Sequence, residues 1–342
     1  MHNKPYRDLN TYFRSLFGCR VHKVTVDAGF NCPNRDGILS TGGCIYCNAK
    51  GSGTGFHEQG LSVTCQIERS KSRIARRFKT NKLMAYFQSF TNTYAPIEHL
   101  KSLYEEALAI DEVVGLAIGT RPDCIDASVL DLIQTYTRQH LIWIEYGLQS
   151  VHDRTLALIN RGHDLACFEK AVAATRNRGI NICAHLILGL PGESRRDMLA
   201  TADAVAAMGI DGVKLHLLYV VKGTPLDSLY QDGGYRCLEQ RDYAELVCDF
   251  IERLPDTRII QRLTRDPTVP PSAGAPEPPQ GTVAVIDVYD GLKPWPDDTD
   301  VKALRVIQIL PMTVPSGAPP HEVGLRLPTA KDSVMLARYV LG

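Results

Sequence analysis

Three cysteines in a glycine-rich stretch are the residues of this sequence whose spacing most clearly indicates chemistry. Residues 31–48 read NCPNRDGILSTGGCIYCN, so Cys32, Cys44 and Cys47 follow the pattern C-x11-C-x2-C just after the first predicted strand. Three thiolates can ligate three irons of a 4Fe–4S cluster and leave the fourth iron open for a further ligand. Tyr46 precedes the last cysteine, where its ring could pack on a bound adenine.

A structural zinc ion is the alternative that the cysteine loop alone leaves open. Closed zinc sites normally have four protein ligands, and His57 or Cys65 could complete a set with the three cysteines. An open iron, by contrast, can chelate the amino and carboxylate groups of S-adenosylmethionine (SAM). One electron delivered there would break a C–S bond and release a 5′-deoxyadenosyl radical.

The composition of the 342-residue chain is that of an ordinary globular protein, with 44% hydrophobic and 22% charged residues. Lys+Arg and Asp+Glu number 38 each, so net charge gives no reason to expect a nucleic-acid partner. The N-terminal sequence lacks the apolar core of a secretory signal, and no run reaches the roughly 18–20 apolar residues of a membrane span. These features predict a cytoplasmic protein without a membrane partner.

Strand-like and helix-like patterns alternate along most of the chain, which predicts a parallel sheet with crossover helices. The predicted strands are His22–Val26, Leu83–Ser89, Val113–Gly119, Leu141–Tyr146, Asn181–Leu188 and Gly212–Val220. The predicted helices lie near Val63–Lys79, Pro96–Ala109, Ala127–Gln139, Leu165–Arg178, Ser194–Met208 and Leu238–Leu254. Six such units favour an α/β fold, a partial (βα)6 TIM-like barrel, and leave a doubly wound open sheet as the alternative.

The sequence changes character after residue 266. Residues 267–281, PTVPPSAGAPEPPQG, are dense in Pro, Gly and Ala and predict a linker between a core domain, 1–266, and a C-terminal segment, 282–342. In that segment TVAVIDVYDG and ALRVIQILPM have the pattern of strands. About sixty residues offer little from which to build an independent core. We therefore interpret 282–342 as a short β-rich segment that is incomplete or fused.

The chain resembles the elongator-like branch of the radical SAM superfamily, and within it the compact YhcC/YtqA-type proteins. The resemblance is carried in order by CPNRDG…GGCIYCN, YFQSFTNTYAP, IGTRPDCI, EYGLQS, NRGH, HLILGLPGES, VKLHLLYVVKGTPL and QRLTRD, over roughly residues 4–266. It implies the (βα)6 radical SAM barrel, with Cys32, Cys44 and Cys47 as cluster ligands. The C-terminal segment is atypical of the family, whose tail is normally helical.

The resemblance also implies which residues bind SAM. In addition to Tyr46 they lie at or beyond the ends of the predicted strands: Gln88, Ser89, Thr91, Arg121, Asp123, Glu145, Gln149, Ser150, Arg161, Gly189 and Gly192. His163 could reach the SAM carboxylate or the substrate. No catalytic residue is implied, and Glu145, Lys214 and His216 are the candidates.

Several of these residues also have a purely structural interpretation. Arg121 and Asp123 could be a loop ion pair, and His185, inside an apolar strand, could be a core histidine. Glu145 is also inside an apolar strand, where a carboxylate needs a partner, and we favour a functional role for it.

A basic segment between the cysteines and the second predicted strand could contact RNA phosphates, or could be a solvated helix face. It contains Arg69, Lys71, Arg73, Arg76, Arg77, Lys79 and Lys82. Aromatic side chains that could stack an unpaired base are Phe87, Phe90, Tyr94 and Tyr219.

The predicted function is therefore SAM cleavage by a 4Fe–4S cluster, with a protein such as flavodoxin or ferredoxin as electron donor. Kinship to the elongator catalytic subunit indicates tRNA, at the wobble uridine, as the candidate substrate. Two alternatives stay open: a radical SAM enzyme acting on a small molecule or cofactor precursor, and a zinc-stabilised RNA-binding module without catalysis.

Overall fold

The computed structural model describes residues 6–48, 51, 55–264, 323–326 and 334–337. The strands are β1 (Arg7–Asp8), β2 (Val21–Val26), β3 (Lys82–Phe87), β4 (Val113–Thr120), β5 (Leu141–Gln149), β6 (Asn181–Leu188), β7 (Gly212–Leu217), β8 (Ile259–Arg262), β9 (Val323–Arg326) and β10 (Val334–Ala337). The helices are α1 (Leu9–Phe17), α2 (Val63–Phe78), α3 (Ile97–Leu108), α4 (Ala127–Tyr136), α5 (Asp153–Leu158), α6 (Leu165–Thr175), α7 (Arg195–Ala207), α8 (Pro225–Gln231) and α9 (Gln240–Glu252), with a 3₁₀ turn at Pro122–Cys124.

Eight parallel strands form one curled sheet in the order β1-β8-β7-β6-β5-β4-β3-β2. From β2 to β8 the spatial order follows the chain order without reversal. A doubly wound sheet would reverse its strand order at a switch point, so that alternative is wrong. The prediction of a partial (βα)6 barrel is confirmed, and β8 and β1 extend the half-barrel beyond the six predicted units.

The two faces of the sheet have different contents because successive side chains point to opposite sides of a strand. The convex face packs against the helices through the main apolar core, which includes Ile144, Ile182 and Leu215. At the amino ends of the strands the concave face is also apolar, and Trp143 packs there against Phe13 of α1. The N-terminal helix therefore closes one end of the half-barrel and leaves the carboxyl ends of the strands as the open side.

Several predicted boundaries were wrong at the open side. The strand predicted to end at Ser89 ends at Phe87, and the strand predicted to end at Val220 ends at Leu217. The chain leaves β3 because Phe90 takes a left-handed conformation (φ 60°) and the Thr91 amide donates to the Asn31 carbonyl. The short helices α1, α5 and α8 were not predicted, since six to nine residues carry a weak periodic signal.

The predicted linker, 267–281, and the two strands predicted in 282–312 lie outside the described residues. Within the C-terminal segment β9 pairs with β10 in antiparallel register, Val323 opposite Ala337. The interpretation of this segment as β-rich and fused stays a prediction. Among the helices described, none has both the length and the apolar composition needed to cross a membrane.

Candidate active site at the carboxyl ends of the strands

The cysteine loop, residues 27–62 between β2 and α2, is tied by backbone hydrogen bonds to the loops that follow β5 and β7. The Ile45 amide donates to the Ile159 carbonyl at 3.1 Å, and the Leu226 amide donates to the Ile45 carbonyl at 3.0 Å. A tight turn brings the Cys47 amide to the Cys44 carbonyl at 2.9 Å. The loop is thus held over the open side of the half-barrel by segments far away in sequence.

Three donors from polar side chains point at the cysteine sulfurs. Arg161 Nη1 lies 3.6 Å and Asn34 Nδ2 3.7 Å from Cys44 Sγ, and Arg35 Nη1 lies 3.5 Å from Cys47 Sγ. Burial raises the pKa of Cys47, as does the neighbouring Cys44, while Arg35 opposes them. Hydrogen bonds and positive charge stabilise thiolates and tune the potential of iron–sulfur clusters. The donor set therefore fits an anionic cluster held by this loop.

Arg161 connects the cysteine loop to the sheet. Its Nε and Nη2 donate to the Gly147 carbonyl at 3.1 and 2.6 Å, which leaves Nη1 directed at Cys44. A Cβ on Gly147 would lie 2.6 Å from Arg161 Nη2, so glycine leaves the space that the guanidinium occupies. Burial disfavours the charged guanidinium, but Cys44, Tyr46 and Asp123 together outweigh this effect and raise the pKa of Arg161.

The four ligands of the zinc site that the sequence left open are not gathered among the described residues. His57 packs its ring over the backbone of Gly29, and Cys65 is exposed in the first turn of α2. Within the described ranges no three His, Cys, Asp or Glu side chains stand close enough together to hold a single metal ion. The three cysteines share one electrostatic neighbourhood, since Cys44 and Cys32 both raise the pKa of Cys47.

The turn after β3 buries polar groups that lack partners among the described residues. Ser89 and Thr91 are 0% and 1% exposed, and neither hydroxyl has a hydrogen-bond partner there. Asn92, by contrast, fixes the turn by donating from Nδ2 to the Gly119 carbonyl at 2.7 Å. Gln88 is half-buried at the same turn. Buried unpaired hydroxyls are costly, which marks this turn as a candidate ligand contact.

Arg121 and Asp123 form a bidentate ion pair after β4, with Nε–Oδ1 at 2.8 Å and Nη2–Oδ2 at 2.7 Å. The loop ion pair that was the structural interpretation of these two residues is therefore present. The pair is not an ordinary surface bridge, because the Arg121 side chain is only 3% exposed. Its Nη1 is buried and has no hydrogen-bond partner among the described residues.

The remaining predicted SAM contacts lie around the ends of β5 and β6. Gln149 takes a left-handed conformation (φ 77°) at a bulge, and Ser150 donates to the Glu193 carboxylate. Gly189 and Gly192 also have positive φ, 89° and 78°, in the turn after β6. Burial lowers the pKa of His163 to about 3, with Arg161 and Arg121 adding to the effect, so this imidazole is neutral.

A second group of polar side chains lies deeper, on the concave face of the strands; we call it the interior cluster: Lys23, Tyr86, Glu145, His185 and Lys214. Glu145 is its centre and is fully buried. Its Oε1 accepts from Lys23 Nζ, and its Oε2 accepts from His185 Nε2 at 2.6 Å and from Lys214 Nζ at 3.0 Å. Lys214 Nζ also lies 2.6 Å from Tyr86 Oη.

The charges of the interior cluster determine its protonation. Burial alone would raise the pKa of Glu145, but Lys214 and Lys23 hold it well below its usual range. Burial lowers the pKa of Lys214 to about 7 in spite of the adjacent carboxylate, and it lowers that of His185 to about 4, with Lys214 adding to the effect. Glu145 is thus ionised and His185 neutral at neutral pH, while Lys214 titrates near neutrality.

Two of the three catalytic candidates, Glu145 and Lys214, belong to the interior cluster, and the third, His216, lies beside it with its ring centroid 5.6 Å from that of His185. Glu145 and Lys214 are in direct contact, whereas His216 lies nearer the open side and pairs with Arg262, whose Nη2 is 2.6 Å from His216 Nδ1. Sequence reasoning missed Lys23 and Arg35 as contributors. For Lys23 the available signal was a charged side chain in the middle of a valine-rich strand, VHKVTV.

A parallel half-barrel with a three-cysteine loop beyond its first barrel strand, β2, is the architecture of an enzyme that cleaves SAM reductively. Comparison with known families agrees. The profile of the radical SAM superfamily matches residues 32–205, and that of the radical SAM C-terminal domain matches residues 210–281. The chain belongs to the radical SAM superfamily, whose members use a 4Fe–4S cluster and SAM.

Three curated relatives match half of the chain or more. YtqA of Bacillus subtilis (strain 168) is 45% identical over 263 residues, 77% of this chain and 82% of its own. YhcC of Escherichia coli (strain K12) is 40% identical over 257 residues, 74% and 82% of the two chains. The tRNA uridine(34) acetyltransferase of Dehalococcoides mccartyi (strain CBDB1) is 33% identical over 180 residues, 50% of this chain but only 38% of its own.

Among solved structures, Elp3 of the archaeon Methanocaldococcus infernus, without its residues 1–46, superimposes with a TM-score of 0.52 at 20% identity. The superposition covers 72% of this chain and 57% of the Elp3 chain. It supports the same half-barrel fold.

Proposed function

We propose that this radical SAM enzyme modifies tRNA at the wobble uridine. The observation that carries the proposal is the 33% identity, over half of this chain, to a protein named for its action on uridine 34 of tRNA. That relative is much longer than the matched part, so the proposal concerns the radical step and the tRNA, and not acetyl transfer.

With the cluster and SAM bound, an electron from a donor such as a flavodoxin or ferredoxin would supply reductive cleavage of SAM to methionine and a 5′-deoxyadenosyl radical, the group that would act on the substrate. Cys32, Cys44 and Cys47 would hold the cluster, while Arg161 and Arg35 stabilise the thiolates. Both guanidiniums lie within 3.6 Å of a cysteine sulfur, which supports this assignment.

The groups that would orient SAM surround the cysteine loop. The unpaired Ser89 and Thr91 hydroxyls can accept from its amino group, and the unpaired Arg121 Nη1 can donate to its carboxylate. Tyr46, whose pKa is raised well above its usual range by burial and by Cys44, stays a neutral aromatic surface for the adenine. The turn from Gly189 to Gly192 offers backbone groups to the same ring. Gln149 and Ser150 stay candidates for the ribose.

The exposed side of α2 is the surface that would contact the tRNA backbone. Arg69, Arg76 and Lys79 are exposed there, whereas Lys71 is engaged by Glu112 at 2.6 Å. On the strand-end side, Tyr219 is 38% exposed and can stack a base, while Phe87 is fully buried in the core. Three exposed cations, spread from the middle of α2 to its C-cap, are enough for a salt-dependent phosphate contact.

The test is an anaerobic assay with reconstituted cluster, dithionite, SAM and unmodified tRNA. We expect tRNA to increase 5′-deoxyadenosine formation and a new nucleoside to arise at position 34, measured by mass spectrometry after digestion. Arg69→Ala with Arg76→Ala should weaken tRNA binding several-fold and reduce its salt dependence. Lys101→Ala, an exposed change on α3, is the matched control.

Two results would contradict the tRNA assignment. One is SAM cleavage that tRNA neither stimulates nor converts to a modified nucleoside, which would point instead to a small-molecule substrate. The other is a modification that survives in an anticodon lacking uridine 34.

A further inference from the structure

The interior cluster has more positive than negative charge at the place where the half-barrel is open. Two ammonium groups, Lys23 and Lys214, face one carboxylate, Glu145. Each ammonium has three N–H donors, and each meets two acceptors: Lys23 reaches Glu145 and Gln261, and Lys214 reaches Glu145 and Tyr86. The third donor of each lysine meets no acceptor among the described residues and is left for a further one.

The cluster is accessible from the open side of the half-barrel. Glu145 is fully buried, but the side chains of Lys23 and His185 keep 17% and 15% exposure. Gln261 and His216, nearer the strand ends, are also partly exposed. Arg161 donates to Gly147, two residues beyond Glu145 on β5, so the cysteine loop stands directly beyond the cluster. A substrate that reacts beside the cysteine loop could therefore extend into the interior cluster.

The excess charge is unfavourable without a further anion. Burial and the neighbouring Lys23 and Arg262 lower the pKa of Lys214 to about 7 although Glu145 touches it. An incoming anion would restore the charged form of Lys214 and use the remaining donors of both lysines.

We propose that the interior cluster binds a carboxylate or phosphate group of the substrate or a co-substrate, through Lys23 and Lys214. Glu145 acts as a positioning residue that holds both ammonium groups toward the anion, and Tyr86 fixes Lys214 from the other side. The inference rests on the proposed function in one respect, that the radical acts on a molecule bound beside the cysteine loop.

The test is calorimetric titration of the reconstituted enzyme with malonate and, separately, with inorganic phosphate. SAM is kept saturating and reductant is omitted, so that the SAM site is filled and no turnover occurs, and a parallel titration omits SAM. We expect saturable binding of one anion per chain, and the stronger of the two probes identifies the anion class. Lys214→Gln should weaken binding roughly tenfold to a hundredfold, since a charge-assisted hydrogen bond is lost.

Two further variants keep the test decisive. Lys23→Gln, at the more exposed ammonium, should weaken binding similarly even if Lys214→Gln folds poorly. Glu145→Gln should weaken binding several-fold, because both ammonium groups lose the carboxylate that positions them and that favours the charged form of Lys214; a purely structural cluster would show no anion binding in either form. Lys101→Gln on α3 is the matched control and should change nothing.

The inference is overturned if neither probe saturates the wild type, if both lysine variants bind as the wild type does, or if binding disappears whenever SAM is present. The last result would assign the cations to SAM itself. Failure of tRNA to act as substrate, with anion binding intact, would overturn the tRNA proposal alone. Loss of anion binding with tRNA modification intact would overturn only this inference.

Discussion

The cysteine loop and the interior cluster lie on the same open side of the half-barrel but are held in different ways. The loop takes its shape from turns and from single contacts to distant segments, such as Arg161 to Cys44. The interior cluster sits on neighbouring strands whose register is fixed by the sheet, with Glu145 paired to Cys183 and His185 paired to Lys214.

Because of this difference, we expect function and stability to be separable by mutation in the cysteine loop but not in the interior cluster. A loop side chain can be exchanged without removing a buried charge from its partners, so changes there should affect chemistry more than folding. Every side chain of the interior cluster is a buried or half-buried polar group, so changes there should affect both.

Replacing Cys44 by Ala should have the largest effect of all. The loss of one thiolate leaves the cluster without a full set of protein ligands, and 5′-deoxyadenosine formation should fall at least about a thousandfold. Iron and sulfide content, together with product formation under dithionite, measure this. Cys65→Ala, at an exposed cysteine of α2, is the control. Wild-type rates in all three variants at Cys32, Cys44 and Cys47 would refute the cluster assignment.

Glu145→Gln should destabilise the fold by about 3 kcal/mol, because it leaves the buried Lys214 and the half-buried Lys23 without their counter-charge. Urea unfolding monitored by circular dichroism measures the change. Adding Lys23→Met should recover part of the loss, since one of the two charges is then removed. For comparison, Glu105→Gln on α3, half-exposed and 3.9 Å from Lys101, should cost less than about 0.5 kcal/mol. Equal losses of stability for Glu145→Gln and Glu105→Gln would contradict the difference between the interior cluster and an exposed ion pair.

His185 should make the interior cluster sensitive to acid. Its pKa is lowered to about 4 in the folded chain, chiefly by burial, and is about 6.5 when unfolded. Between these values the unfolded chain binds the extra proton, so the free energy of unfolding falls as pH decreases from 6.5 to 4, by at most about 3 kcal/mol. Urea titrations across this range should show a shallower slope for His185→Gln. An unchanged slope would show that the imidazole is already protonated when folded.

Arg161→Lys tests the connection between the two regions. A lysine cannot donate twice to Gly147 and still reach Cys44, so 5′-deoxyadenosine formation should slow about tenfold and the cluster should bleach faster in air. Global stability should change little by comparison with Glu145→Gln. Arg178→Lys, which disturbs a surface pair with Asp131, is the control. A faster or unchanged rate would mean that Arg161 does not support Cys44.

Most of the fold could be predicted from local pattern. The six alternating units were all present because apolar strands buried on both faces and amphipathic helices give strong periodic signals. The sequence did not predict β8 and β1. These strands are only four and two residues long, and their place at the edge of the sheet depends on pairing between segments far apart in the chain. Such pairing leaves almost no trace in a short window of sequence.

The sequence by itself predicted the cysteine loop, since the spacing of Cys32, Cys44 and Cys47 is a local property of eighteen residues, although that spacing alone left zinc as an alternative to the cluster. Only the tertiary structure decided the interior cluster. Lys23 and Lys214 are separated by most of the half-barrel in sequence, yet both reach Glu145. They meet because the sheet curls and its alternation turns all three side chains to the concave face. That curvature is a property of the assembled strands and of no single strand.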